Sequence, residues 1–111
     1  RNIVLWPYSD INDKRLKIEN SHLELHSDKR VSKPLKIGTY NKNIKAKYHM
    51  GKNVFVKTFS GYENEIYPDF NCNFECYISD KIHEIESLSP IRDVEKNGEM
   101  EFCEIWSLKR G

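Results

Sequence analysis

The sequence predicts an all-β protein built as an antiparallel β-sandwich, and three observations lead there. Apolar residues recur almost everywhere with a period of two and not 3.6. The alternating runs are short, about seven in number, and clusters of Gly, Asn, Asp and Pro separate them. The 111 residues show no internal repeat, low-complexity tract or linker, so residues 1–111 are expected to form a single β domain.

Each element can be justified in order. "NIVLWPY" is a short apolar run stopped by Pro7, and "SDIND" after it is turn chemistry. In "SHLELHS", Leu23 and Leu25 face one way while His22, Glu24 and His26 face the other, as a half-buried strand requires. "PLKIGTY" sets Leu35, Ile37 and Thr39 against Lys36 and Gly38. "NIKAKYHMGKNVFVKTFS" reads as a hairpin. Ile44, Ala46, Tyr48 and Met50 alternate with Lys45, Lys47 and His49, the chain turns at Gly51, and Phe55, Lys57 and Phe59 then share one face. The loop "SGYENEIYPD" leads into "CNFECYIS", which turns at "SDK" into "IHEIESLS". That last segment is ambiguous, because Ile82, Ile85 and Leu88 also suit one short helix. After the turn "EKNG", "EMEFCEIWSL" places Met100, Phe102, Trp106 and Leu108 on one face, interrupted by Glu104.

Hydrophobic residues make up 38% and charged residues 32%, a balance that supports folding. No apolar run approaches the length of a membrane span, and no signal-peptide pattern is visible. The odd number of cysteines, Cys72, Cys76 and Cys103, has no CxxC spacing, which favours reduced thiols and a cytoplasmic location. Net charge is +1, but residues 1–60 hold 13 Lys/Arg against 5 Asp/Glu and residues 61–111 hold 5 against 12. With no nucleic-acid-binding motif beside the lysines, internal neutralisation is favoured over binding to nucleic acid.

Two constellations could carry chemistry. His22, Glu24 and His26 project from one strand face, but neighbours two apart are roughly 7 Å from each other, so a solvated polar face is favoured over a metal site. In "CNFECYIS", Asn73, Glu75 and Tyr77 share the face opposite Cys72, Phe74 and Cys76, with Glu84 and Glu86 on the adjoining strand. Carboxylates accept hydrogen bonds from sugar hydroxyls and aromatic faces pack on ring C–H groups, so this cluster suits carbohydrate. An ordinary wet face would show the same spacing.

The motifs "VLWPYSDINDKRL", "PLKIG", "VFVKTF", "YPDFNCNFECYISDKIHEIESLSPI" and "NGEMEFCEIWSL" together resemble the C-terminal part of the galactose mutarotase-like superfamily, nearest its aldose 1-epimerase-related branch. The resemblance runs from Asn2 to about Leu108. It implies a β-supersandwich whose cleft binds carbohydrate, and a family domain more than twice as long as this chain. On that reading a homo-oligomer or an N-terminal portion covers the exposed sheet.

The resemblance also implies a mechanism without cofactor or metal. A late-strand glutamate takes the anomeric proton, a histidine protonates the ring oxygen, and the sugar opens and recloses. Glu75, within "CNFE", matches that glutamate, whereas none of His22, His26, His49 and His83 falls in a matching motif. The resemblance further nominates Trp6, Tyr8, Lys36 and Lys57, with Asn73 and Tyr77 beside the glutamate, as substrate-binding. For Lys57 a stem packed between Phe55 and Phe59 stands level with that role. The alternatives are a non-catalytic sugar-binding module and a sandwich fragment acting in assembly.

Overall fold

The computed structural model describes residues 2–110 and is an all-β, antiparallel structure. Its strands are β1 (Val4–Leu5), β2 (Leu16–Ile18), β3 (Leu23–Leu25), β4 (Leu35–Thr39), β5 (Asn43–Met50), β6 (Asn53–Ser60), β7 (Phe74–Ile78), β8 (His83–Ser87) and β9 (Ile105–Arg110). They form a four-stranded sheet in the order β1-β4-β7-β8, a β2-β3 hairpin and a three-stranded sheet in the order β5-β6-β9. The expected Gly51 hairpin is present: Gly51 supplies a φ of 57°, and Ile44 meets Phe59 across the ladder. No helix among the described residues is long and apolar enough to cross a membrane.

The four-stranded sheet positions everything else. On one face the registers Leu5 to Ile37, Ile37 to Cys76 and Leu35 to Ile78 bring apolar side chains together. The β2-β3 hairpin lays Leu16, Leu23 and Leu25 over them, closing a core around fully buried Leu35. The three-stranded sheet packs beside this core on the same face. Phe59 tilts against Phe74 at 6.5 Å, and Tyr48 Oη reaches His83 Nδ1 at 2.8 Å. The other face, by strand alternation, carries Val4, Lys36, Gly38, Glu75, Tyr77, Glu84 and Glu86.

One ambiguity is resolved and two expectations need correction. Residues 83–87 are a strand, as the alternation suggested, and not the alternative short helix: the apolar Ile85 sits opposite Cys76 on the core face while Glu84 and Glu86 alternate outward. The final strand starts only at Ile105, so Met100 and Phe102 precede it. Phe102 still packs edge-on against Phe59 at 5.6 Å, while every residue of β9 is exposed. Cys72 does not lie opposite Glu75. The strand begins at Phe74, alternation does not extend back to Cys72, and its Sγ lies on the Glu75 side of the sheet, over Gly38.

Because Leu35 joins both layers of the core and is wholly buried, Leu35→Ala is expected to lower stability by about 2–5 kcal/mol. Denaturant unfolding measures this, and a change under about 1 kcal/mol would mean the hairpin does not cap the sheet as described.

Candidate functional site

The site is built where β4 and β7 lie side by side, with Gly38 directly across from Glu75. A Cβ on Gly38 would stand 2.6 Å from Cys72 Sγ, 3.1 Å from Trp6 Cζ3 and 3.4 Å from Glu75 Cγ. The missing side chain therefore leaves the space in which the thiol, the indole and the glutamate converge. As a result Glu75 is only 2% exposed, although its face of the sheet is the polar one. The expectation of a wet strand face is corrected here: the alternation is right, but the segment that follows β1, with Trp6, and the segment that precedes β7, with Cys72, fold over it.

The segment covering Glu75 is unusual. In the turn Pro68–Asn71, Asp69, Phe70 and Asn71 have φ of 54°, 60° and 68°, three successive left-handed residues without a glycine. Asp and Asn tolerate this region, but Phe does not, and the conformation costs about 1 kcal/mol or more per residue. It is held from both ends. Asn2 Nδ2 donates to the carbonyls of Phe70 and Asn71 at 3.3 and 3.1 Å, and Cys72 N donates to Pro68 O at 2.9 Å. Asn2 is itself fixed, its Oδ1 accepting from Tyr40 N at 2.6 Å and its carbonyl from Thr39 Oγ1 at 2.6 Å. The turn brings Asp69 against Glu75 and leaves Phe70 at its tip 88% exposed. A shallow cleft of about 120 Å³, lined by Val4, Leu5, Trp6, Pro7, Asp69 and Phe70, opens there.

Electrostatics follow from this geometry. Burial pushes the Glu75 carboxyl up to about 7, a hydrogen bond with Asp69 and that residue's like charge push the same way, and Lys36 pulls it back. Lys36 Nζ is 3.3 Å from Glu75 Oε1 and 3.6 Å from Glu86 Oε1, and it sits 4.8 Å from the centre of the Trp6 ring. Burial depresses the Lys36 ammonium, but Glu86 and Glu75 more than offset it, so the lysine stays charged. Glu75 Oε2 is buried and meets no donor. Burial, with the like charge of Asp69 adding to it, therefore favours the protonated form of Glu75 at pH values up to about 7. Tyr8 borders the same cluster: burial raises its phenol, with Lys36 opposing and Tyr77, Glu86 and Glu84 adding to the rise.

The nominated residues therefore separate. Trp6, Tyr8, Lys36, Glu75 and Tyr77 come together on one face, joined by Asp69, Glu84 and Glu86. Lys57 does not join them. Its ammonium lies over Phe74 at 6.0 Å, on the opposite side of the sheet, donates to Ile85 O at 2.9 Å and sits 3.6 Å from Glu104 Oε2. Its stem is packed, but the head is held inside and does not reach water. Asn73 is fully buried and clamps a loop, donating to Asn41 O at 2.8 Å and accepting from Asn41 N at 3.1 Å. Sequence reading missed Asp69 and Asn2. The "PDFN" run was the available clue, since Asp and Asn are the residues that tolerate left-handed backbone.

Elsewhere, Glu24 bridges His22 and His26, each 2.7 Å from one of its oxygens, and these contacts draw its carboxyl down to about 2. No grouping of three or more His, Cys, Asp or Glu side chains fit to hold a metal occurs among the described residues. Burial raises the thiols of Cys72 and Cys76 to about 11, which leaves them poor nucleophiles.

Two outcomes test the site. Because the Glu75 carboxyl titrates higher folded than unfolded, the native state binds the extra proton between about 4.5 and 7. Its contribution is fully present below that window and is lost as pH rises through it, so Glu75→Gln should flatten the fall in thermal stability from pH 5 to 8. An unchanged pH profile in the variant would sink the assignment. Gly38→Ala is expected to cost about 1–3 kcal/mol through overpacking, and less in a Cys72→Ala background. Equal costs in both backgrounds would show that the thiol is not the obstacle.

No family model, curated protein or solved structure matches this chain.

Proposed function

We propose that the face carrying Glu75 binds a neutral carbohydrate and that Glu75 is its acid–base group, in an aldose 1-epimerase-like isomerase of the cytoplasm. The observation that carries this reading is the buried Glu75 carboxyl held near neutrality between Asp69 and Lys36. A base whose proton affinity matches the operating pH transfers protons most effectively. As the anomeric hydroxyl gives up its proton to Glu75, the bond from C1 to the ring oxygen breaks and that oxygen takes a proton from a water molecule. Rotation and the reverse steps give the other anomer. Trp6 offers an aromatic face beside the cleft, and Tyr8, Tyr77 and Glu86 offer hydrogen-bonding groups. Four carboxyls against one ammonium make the face electronegative when Glu75 is ionised. It therefore suits an uncharged sugar better than a sugar phosphate or a uronate.

One observation favours a second reading, a non-catalytic sugar-binding module. No histidine reaches this face: His83 points to Tyr48 on the core side, His22 and His26 belong to the β2-β3 hairpin, and His49 lies on β5. Exchange NMR on glucose and galactose anomers separates the two. The first reading expects accelerated interconversion that drops about 100-fold in Glu75→Gln. Saturable binding without acceleration selects the second, and a panel with no binding at all removes both.

A further inference from the structure

The three-stranded sheet ends in an edge that the fold leaves open. β9 pairs with β6 on one side only, all six of its residues are exposed, and Ile105, Trp106 and Leu108 are each about two-thirds exposed. Three large apolar side chains on one unpaired edge are rare in a chain that stands alone. The other edges of the two larger sheets are protected. β5 carries exposed Lys45 and Lys47, β8 has the carbonyl of Ile85 taken by Lys57, and β1 is two residues long.

The edge is also complementary to itself. Along an edge strand, N–H and C=O groups point outward only at alternate residues, so a symmetric antiparallel pairing must place its axis on a residue and not between two. An axis at Ser107 sets Trp106 against the partner's Leu108 and Ile105 against the stem of the partner's Lys109. It also sets Glu104 against the partner's Arg110. Arg110 makes no ion pair among the described residues, while Glu104 holds Lys57 Nζ at 3.6 Å through Oε2 and accepts from Trp106 Nε1 at 3.2 Å through Oε1, so the partner's Arg110 adds a second cation beside it. An axis at Trp106 would set Glu104 against an apolar Leu108, and one at Leu108 would set Trp106 against Arg110. Of the three, only the Ser107 axis sets Trp106 against Leu108 and Glu104 against Arg110.

We propose that two copies of this chain associate through β9, antiparallel about Ser107, joining their three-stranded sheets into one six-stranded sheet. The association places Trp106 and Leu108 of both copies in one apolar strip and continues the rings of Phe55 and Trp106, which already meet at 5.8 Å. It involves neither Glu75 nor its neighbours.

Sedimentation velocity on the 111-residue chain tests this and is expected to show a concentration-dependent dimer. Leu108→Asp sets a carboxylate against the partner's Trp106 and should weaken association about tenfold or more, with circular dichroism unchanged because Leu108 is exposed. In a Cys103→Ser background, Ser107→Cys should cross-link the dimer under mild oxidation or with a short bismaleimide, while Lys45→Cys on the β5 edge should not. A chain that stays monomeric at hundreds of micromolar overturns the proposal. So does a dimer indifferent to Leu108→Asp, or one cross-linked through position 45 and not 107.

Discussion

The absence of a side chain at Gly38 is the constraint on which the candidate site depends. Any other residue there would fill the space shared by Cys72, Trp6 and Glu75, with first contact at 2.6 Å. Because the space is empty, Trp6 can lie down over the sheet, Cys72 can tuck beneath the Pro68–Asn71 turn, and Glu75 loses nearly all contact with solvent. Desolvation is the largest influence on its carboxyl, so the acid–base character of the site follows from a packing vacancy. The nearby ion pair with Lys36 moderates that effect without cancelling it.

The two lysines show how strand register sends similar side chains to different environments. Lys36 and Lys57 both emerge from strands and both reach acidic partners, yet they serve opposite faces of the four-stranded sheet. Lys36 is tied to Glu75 and Glu86 and rests on Trp6. Lys57 joins two layers, its ammonium bonded to a β8 carbonyl and near Glu104. A buried ammonium is tolerated only when its hydrogens find acceptors, and Ile85 O supplies one inside the sandwich. Shifting β6 by one residue would turn Lys57 to the far side of its sheet and leave that carbonyl unmet.

Much of this was legible in the alternation of single residues. The β5-β6 hairpin, the turn at Gly51, the shared face of Glu75 and Tyr77 and the adjoining Glu84 and Glu86 all follow from a period of two. What a period cannot report is which segment lies over a face. The burial of Glu75 comes from Trp6, far away in sequence, and from a left-handed turn pinned by Asn2 across 68 and 69 residues. The clamp made by Asn73 was hidden for the same reason, since its partner Asn41 is 32 positions away. β9 was misjudged at its start because Met100 and Phe102 continue the apolar alternation, although only the residues from Ile105 onward find a ladder on β6.

The left-handed turn and the carboxyl pair are best understood as one device. Phe70 occupies a backbone region that ordinary side chains avoid while its ring stands in solvent, so its own burial does not offset the strain. The compensation comes from Asn2, which donates to the carbonyls of Phe70 and Asn71. The like charge of Asp69 beside the buried Glu75 carboxyl favours the protonated form of Glu75, so ionising Glu75 creates a repulsion next to the turn. The turn is therefore held most firmly when Glu75 carries its proton. Strain, burial and proton affinity thus meet at one pair of side chains, and the same vacancy at Gly38 makes all three possible.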